Sequence, residues 1–230
     1  MLAGAVAAVA VTAGLVQGAN VLKEVLCRIL GLPTLLVTLV GIRLPKKLRL
    51  RLVILRDQDG TPVASEQDLE AALAETRRVL ESIARIRIIP AGGRLIVTLD
   101  EKAPAAALDS PCAEGSWQAD FGGGGGYFRR HLARNAGGLV AGYGDPVTVF
   151  VVHDVLGKGG CSLGPLTSYA TIDAGGLGGS HRVLAHELGH ACGLPHSHAE
   201  GNLMLPKGPG EQLKRWQEAI FRSSRHVTYF

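Results

Sequence analysis

Four of the chain's eight histidines lie within thirteen residues, in the stretch HELGHACGLPHSH at 186–198. His186 and His190 are four residues apart, a spacing that places two side chains on one face of a helix, one turn apart. Two imidazoles in that arrangement can bind one metal ion. Glu187 lies one step round the helix, where it can contact a water molecule on the ion without binding the ion itself. The spacing therefore predicts a metal site with an adjacent carboxylate.

A third histidine follows the point at which this helix must end. Gly193 can adopt the left-handed conformation that ends helices, and Pro195 prevents the helix from continuing. The chain then turns back, so that His196 can approach the ion. Three histidines leave a fourth position open for water, an arrangement typical of catalytic rather than structural zinc. Because a fourth protein ligand would close that position, we interpret His198 as a residue at the rim of the site.

These residue types together predict hydrolysis at one catalytic zinc. We expect Glu187 to act as the general base that takes a proton from water and later passes it to a leaving amine. The pattern HExxHxxGxxH fixes five positions and arises by chance in a chain of this composition with a probability on the order of 10⁻⁴. Surface histidines on an ordinary helix would explain neither the helix-ending glycine nor the third histidine. His181, more than one turn before His186, is expected to be solvated.

The stretch HELGHACGLPH resembles the zinc signature of the metzincin metalloproteases. Members of that family carry a methionine in a tight turn beneath the metal, and GNLMLP places Met204 eight residues after His196. Ser197 and Pro206 resemble the matrixin, or matrix metalloproteinase, branch, in which the third histidine is typically followed by serine and the methionine belongs to a Met-x-Pro sequence. The resemblance implies a zinc-dependent endopeptidase acting on a protein or peptide substrate, with Met204 in the structural Met-turn.

Two features depart from the matrixin pattern. The sequence SPCAEG around Cys112 does not match the segment that blocks zinc in matrixin zymogens, and the segment that carries extra zinc and calcium ligands is not recognisable, so calcium binding stays open. We favour ordinary strand-end or loop roles for the remaining candidate ligands, which are His153, Asp154 and Asp173.

Three alternatives to an endopeptidase come from other classes. The site is also compatible with a zinc amidase or an aminopeptidase, although we identify no group that would hold a free peptide terminus. A membrane-linked zinc-binding module without activity is the third alternative. Glu187 argues against it, because a scaffold has no need of a general base.

The elements that position the site are predicted from residue 46 onward. Residues 47–57 alternate between basic and apolar and then become fully apolar, which predicts a strand entering a core. Residues 65–86 carry apolar residues at helical spacing behind Ser65, a suitable N-cap. Two further strands follow, at 85–89 and 94–100.

The second half of the chain is less regular at first. The glycines at 122–126 are expected to form a flexible connection, because a phosphate loop would need Lys and Ser or Thr after them. A short helix is predicted at 127–134 and the most apolar, central strand at 146–155. Residues 166–173 are polar and β-branched, which is typical of an edge strand, and we expect the substrate to lie along them. The closing helix is predicted at 211–227, with these residues on one side: Leu213, Trp216, Ile220 and Phe221.

With the resemblance, this order predicts an α+β fold. We expect a metzincin-like (zincin) catalytic domain at 46–230, with a mixed twisted sheet, an active-site helix, a Met-turn and a C-terminal helix. The substrate's side chain just after the cleaved bond is expected beside the helix, next to the residues after Met204.

The N-terminal segment differs in composition from the rest. Residues 1–22 carry no charge, and a second apolar run follows at 29–42. The first run is long enough to span a bilayer as a helix, whereas the second is short for it. Three interpretations stay open: a membrane anchor or hairpin, a secretory signal, and translated upstream sequence. We favour a hydrophobic anchor or signal region at 1–45, with membrane association through it, and a membrane-anchored or secreted protein. Basic residues follow the second run and tend to hold that end on the cytoplasmic side: Arg43, Lys46 and Lys47.

The charge of the chain argues against a nucleic-acid-binding protein, and its cysteines bear on the compartment in which it folds. The formal net charge is +4, of which +2 lies in residues 1–45, so the rest of the chain is nearly balanced. Neither a basic face nor an aromatic stacking platform for nucleic acid is predicted, and we expect a monomer. Cys112 and Cys161 lie in loop-like sequence and can form a disulfide in an oxidising compartment or stay as two free thiols. Cys192 is expected to pack as a buried thiol.

Overall fold

The computed structural model describes residues 2–110, 112, 124–133, 142–177 and 182–230 of the 230-residue chain, and side chains from residue 14 onward. The helices are α1 (Leu2–Leu30), α2 (Leu32–Leu39), α3 (Glu66–Ala84), α4 (Ala105–Leu108), α5 (Gly125–Arg130), α6 (Arg182–Ala191) and α7 (Arg215–Arg222). The strands are β1 (Lys46–Arg56), β2 (Ile86–Pro90), β3 (Ile96–Lys102), β4 (Val147–Val152), β5 (Gly160–Ser162), β6 (Tyr169–Asp173), β7 (Gly201–Asn202), β8 (Gly210–Gln212) and β9 (Val227–Thr228).

The main sheet is mixed and has the strand order β2-β1-β4-β6-β5. Its long strand β1 pairs along one edge with β2 and then β3, both parallel, and along the other edge with β4. The two antiparallel pairs are β9 against the start of β1 and β5 against β6. The fold is therefore a mixed α/β arrangement, in which β5 lies at the edge of the sheet nearest α6.

Alternation along β1 divides the core into two layers. Leu48, Leu50 and Leu52 face a cluster that includes α3 and α6. Val53 and Leu55 face the opposite layer, together with the aromatic side chains of α5 and β4. Since apolar residues cover both faces of its second half, β1 is the buried strand that its change from alternating to continuous hydrophobicity predicts.

Helix α3 begins at the predicted N-cap. The Ser65 hydroxyl accepts a hydrogen bond from the backbone N–H of Asp68, and the Asp68 carboxylate accepts one from the backbone N–H of Ser65. This reciprocal pair is a capping box, which satisfies N–H groups at the helix start. The apolar side of α3 then packs against α6 and so supports the candidate site from below.

Several predicted elements are confirmed. The order strand, helix, strand, strand is observed as β1, α3, β2 and β3, and β4 is a fully buried strand between β1 and β6. The short helix expected at 127–134 is observed as α5, which begins earlier, at Gly125. Residues 122 and 123 of the glycine run lie outside the described residues. Cys112 and Cys161 form the disulfide that was one of their two alternatives.

Two expectations are wrong. Residues 166–173 are not an edge strand, because β6 lies between β4 and β5, and the edge position belongs to the three-residue strand β5. The closing helix is shorter than predicted, since Leu213 precedes it and residues 210–212 form β8. Trp216 is 44% exposed rather than packed on the core side of the helix.

The N-terminal helices pack on the body through polar residues. The buried side chains of α1 and α2 that recur at helical spacing are Gln17, Glu24, Cys27, Thr34 and Thr38. Among the described residues, no helix has the combination of length and hydropathy that crossing a bilayer requires. The division of the chain into 1–45 and 46–230 stays a prediction.

Candidate active site

Helix α6 presents two different faces. Leu184, Leu188 and Ala191 belong to the core between the sheet and α3. His186 and His190 lie on the other side, one turn apart, as their spacing predicts. The helix therefore holds these imidazoles against a packed support, and their side chains border an open cleft.

Three histidines converge at this cleft. The Nε2 atom of His190 lies 3.1 Å from Nε2 of His186 and 3.1 Å from Nε2 of His196. Four-coordinate zinc with nitrogen ligands at 2.0–2.1 Å separates them by about 3.3 Å. Among the described residues, these three histidines form a group that could hold one metal ion.

The protonation of the first two imidazoles follows from their neighbours. Nδ1 of His186 lies 2.8 Å from the carbonyl oxygen of Leu203, and Nδ1 of His190 lies 2.7 Å from that of Leu194. A carbonyl only accepts hydrogen bonds, so each Nδ1 carries the proton and each Nε2 keeps its lone pair. Burial lowers the pKa of both imidazoles to about 4, which keeps them neutral. Two lone pairs that face each other at 3.1 Å repel, and a cation between them removes the repulsion.

The turn after α6 directs the third histidine to the site. Gly193 has a φ of +88°, which is the left-handed conformation expected at the end of the helix. Its N–H donates to the carbonyl of His190, and the N–H of Leu194 donates to that of Gly189. Pro195 follows at once, and His196 returns towards the cleft while remaining exposed itself.

The N-terminal helix α1 supports the same turn. The Arg28 guanidinium donates one hydrogen bond of 2.8 Å to the carbonyl of Cys192 and another of 2.9 Å to that of Ile220, at the ends of α6 and α7. It also pairs with the buried carboxylate of Glu24 at 2.8 Å. A Cβ on Gly193 would meet the Arg28 guanidinium, which is the movable end of a long side chain, so it is the left-handed φ that favours glycine there.

Met204 lies beneath the helix. A Cβ added to Gly189 would come within 2.5 Å of the Met204 sulfur, so these two residues are in close contact. The turn is fixed by Asn202, whose Oδ1 accepts from the Met204 N–H and whose Nδ2 donates to Gln217 of α7. The adjacent carbonyl of Leu203 is the one that orients His186. The turn therefore also orients the His186 imidazole through the Leu203 carbonyl. The sequence alone had indicated only a role for the methionine.

Glu187 is buried beside the three histidines. Burial raises the pKa of its carboxyl group to about 8. Its Oε2 atom has no hydrogen-bond partner among the described residues. The side chain passes directly over β5, because a Cβ on Gly160 would lie 2.7 Å from the Glu187 Cγ. A buried, unsatisfied carboxyl oxygen next to an imidazole cluster fits a group that contacts water or substrate.

The cleft in front of these residues has a volume of about 800 Å³. One wall is the stretch from 157 to 162, which includes β5, and the other includes Pro206 and Lys207 after the Met204 turn. Cys112 also lines the cleft and is tied to β5 by its disulfide with Cys161.

The other candidate ligands lie apart from this group. His198 is exposed and does not belong to the histidine cluster, and His181 lies outside the described residues. His153 is exposed, and its Nδ1 lies 3.1 Å from the carboxylate of Asp109. Cys192 is fully buried as a free thiol, as expected. Arg28 and Gly160 were missed, because each lies far along the chain from the histidines and within no motif.

Comparison with known proteins adds little to this description. No family model matches the chain, and no curated protein matches it. One similar solved structure is metalloproteinase-II from Bacteroides fragilis, at 17% sequence identity and a TM-score of 0.45. The match covers 76% of this chain and 50% of that chain, so this chain spans about half the length of that protein.

Proposed function

We propose that this protein is a zinc-dependent endopeptidase of the metzincin type, most similar to the matrixin branch, with His186, His190 and His196 as metal ligands and Glu187 as general base. The observation that carries the proposal is the meeting of three imidazole Nε2 atoms, two of them held unprotonated by backbone carbonyls, beside a buried carboxyl group. An ordinary helix surface gives no reason for such an arrangement.

The residues of the chain have separable roles in this proposal. When bound, zinc polarises a carbonyl group and lowers the pKa of a water molecule. Glu187 would take a proton from the attacking water and deliver it to the leaving amine. Its burial beside the histidines and its Oε2 atom support this role, because a carboxyl oxygen without a hydrogen-bond partner among the described residues can contact the reacting groups.

The edge of the sheet supports a position for the substrate chain in this proposal. Among the described residues, β5 pairs only with β6, and all three of its residues line the cleft. An extended peptide can therefore add a strand to β5, with its backbone held by hydrogen bonds and a scissile carbonyl near the histidines. The side chain after the cleaved bond would lie beside Pro206 and Lys207. Lys158 and Lys207 line the same cleft, so peptides with acidic side chains are the expected class.

The disulfide supports a location outside the cytoplasm. Cys112 and Cys161 are joined across the cleft wall, and such bonds persist in oxidising compartments. An extracytoplasmic endopeptidase is consistent with that chemistry.

Metal analysis combined with a casein digest tests the proposal. The purified chain should contain one zinc per molecule and cleave casein at internal bonds, and a chelator should abolish cleavage until zinc is restored. Release of single amino acids from one terminus would indicate an aminopeptidase instead. Zinc without cleavage of casein or gelatin would favour an amidase with another substrate or a non-catalytic module.

A further inference from the structure

The two N-terminal helices have the reverse of the usual amphipathic arrangement. In a soluble protein, a surface helix packs its apolar stripe on the core and exposes its polar side. In α1 and α2 the polar side chains are the ones that face the body. Gln17, Glu24, Thr34 and Thr38 are each at most 7% exposed.

Specific hydrogen bonds hold α1 and α2 in this orientation. We call their buried polar side chains the polar stripe: Gln17, Glu24, Thr34 and Thr38. The Asn20 side-chain amide donates to the backbone carbonyl of Leu166, and the Arg225 guanidinium donates to the backbone carbonyl of Asn20. In α2, the Thr34 hydroxyl lies 2.9 Å from the Tyr229 hydroxyl. The helices therefore cannot turn their apolar side inward without breaking these partly buried hydrogen bonds.

The outward side forms one apolar surface. Fourteen of the eighteen large hydrophobic side chains that are exposed in the described residues lie between 15 and 44, so exposure of this kind is concentrated in α1, α2 and the segment after them. Scattered exposed hydrophobic residues are normal, but a contiguous surface marks a binding site. We call this set the N-terminal apolar face: Leu15, Val16, Val21, Leu22, Val25, Leu26, Ile29, Leu30, Leu32, Leu36, Leu39, Val40, Ile42 and Leu44.

Aromatic residues border the N-terminal apolar face. Tyr229 is 41% exposed and bonds to Thr34 of α2, and Phe230 follows it. Trp216 is half-exposed on α7, which packs against α2. Tyrosine and tryptophan at the edge of an apolar surface are typical of the boundary between lipid tails and water.

Cations border the end of this face at α2. The exposed Arg215 reaches the carbonyl of Leu39, and the exposed Arg85 donates to the carbonyl of Arg43. Neither Arg85 nor Arg215 has a carboxylate partner among the described residues. The acidic Glu218 beside them is buried and paired with Arg43. Positive charge at the margin of an apolar surface complements anionic lipid headgroups.

We propose that the N-terminal apolar face rests on the surface of an anionic lipid bilayer, with the polar stripe of α1 and α2 bound to the body. A second copy of the chain fits less well, because a symmetric contact would bring Arg85 and Arg215 of both copies to one interface, and the neighbouring Glu218 is already paired with Arg43. The proposal is independent of the peptidase activity.

Vesicle cosedimentation of the full chain tests this proposal. The probes are phosphatidylcholine vesicles and vesicles in which part of that lipid is replaced by phosphatidylglycerol. The wild-type chain should sediment with both and bind the anionic vesicles more tightly. The triple variant Leu22→Gln, Ile29→Gln, Leu36→Gln should lower the partition coefficient at least tenfold. The matched control is Leu156→Gln, at an exposed apolar residue outside the face, which should leave binding unchanged.

A second variant tests the contribution of the two arginines to binding of anionic lipid. Arg85→Gln with Arg215→Gln should reduce binding to anionic vesicles towards the level on phosphatidylcholine alone and should leave folding intact, since both side chains are exposed. Glu187→Ala should bind vesicles as the wild type does. Failure of the wild-type chain to bind either vesicle, or an equal loss in Leu156→Gln, would overturn the proposal. A concentration-dependent dimer in sedimentation equilibrium that the triple variant disperses, without vesicle binding, would identify a second copy as the occupant.

Discussion

The guanidinium of Arg28 in the N-terminal helix donates a hydrogen bond of 2.8 Å to the carbonyl of Cys192, where helix α6 ends. The last carbonyls of a helix lack partners within it, and a cation there also complements the helix dipole. The bond joins two segments that are 164 residues apart in the chain. The N-terminal segment, which differs in composition from the rest of the chain, therefore helps to hold the turn that carries His196.

Arg28→Met should destabilise the protein and weaken its hold on zinc. The substitution removes bonds to Cys192 and Ile220 and leaves the buried Glu24 without its nearest cation. Since Arg28 is partly exposed, we expect a loss of about 2–3 kcal/mol in the free energy of unfolding and at least a tenfold loss in zinc affinity. Urea unfolding and chelator competition measure the two. Arg78→Met, at an exposed ion pair, is the control and should change stability by less than about 1 kcal/mol. Equal effects in the two variants would show that Arg28 has no special role.

Gly160→Ala should impair hydrolysis without removing zinc. The new Cβ would lie 2.7 Å from the Glu187 Cγ and would displace the carboxyl group. Gly160 does not have a positive φ, so alanine introduces no backbone strain. We expect kcat to fall at least tenfold while zinc content stays at the wild-type level. Gly126→Ala, where nothing lies within 4 Å of the new Cβ, should keep full activity, and an unaffected kcat in Gly160→Ala would refute the proposed contact.

The buried Lys46 should make the free energy of unfolding depend on pH. Burial, together with the nearby Arg222, lowers the pKa of its ammonium group from 10.5 to about 7. Between these two values the unfolded chain binds the proton and the folded protein does not, so the stability of the wild type rises with pH relative to Lys46→Met. The increase is at most about 1.4 kcal/mol per pH unit. Urea unfolding of both proteins at pH 7, 8 and 9 measures it. A difference that stays constant over this range would contradict the assignment.

The Cys112–Cys161 disulfide should stabilise the wall of the cleft. Its removal in Cys112→Ser with Cys161→Ser frees a loop with a sequence separation of 49 and releases β5. We expect a loss of about 2–4 kcal/mol in stability and a lower rate of hydrolysis, because β5 carries Gly160 against Glu187. Reducing agent should have the same effect on the wild type and none on the double variant. Retention of wild-type stability and rate after reduction would show the bond to be dispensable.

The cluster of His186, His190 and His196 could be predicted from sequence because helical spacing, a helix-ending glycine and a third histidine constrain one another locally. The edge strand could not be predicted, because a strand of three residues shows no periodicity in the sequence. The position of β5 in the sheet also depends on its pairing with β6. The side of α1 and α2 that packs on the rest of the protein was not predicted either, because the composition of residues 1–45 is mostly apolar. Its signal was nevertheless present, since Gln17, Glu24, Thr34 and Thr38 recur on one helical side.

One variant tests directly whether Glu187 is the general base. Glu187→Ala should retain one zinc per chain, because the three imidazoles are untouched, and should cleave casein at least a hundredfold more slowly than the wild type. Glu200→Ala, at an exposed carboxylate outside the cleft lining, should behave as the wild type does. If zinc-loaded Glu187→Ala cleaves casein at the wild-type rate, Glu187 is not the general base and the proposed mechanism is wrong.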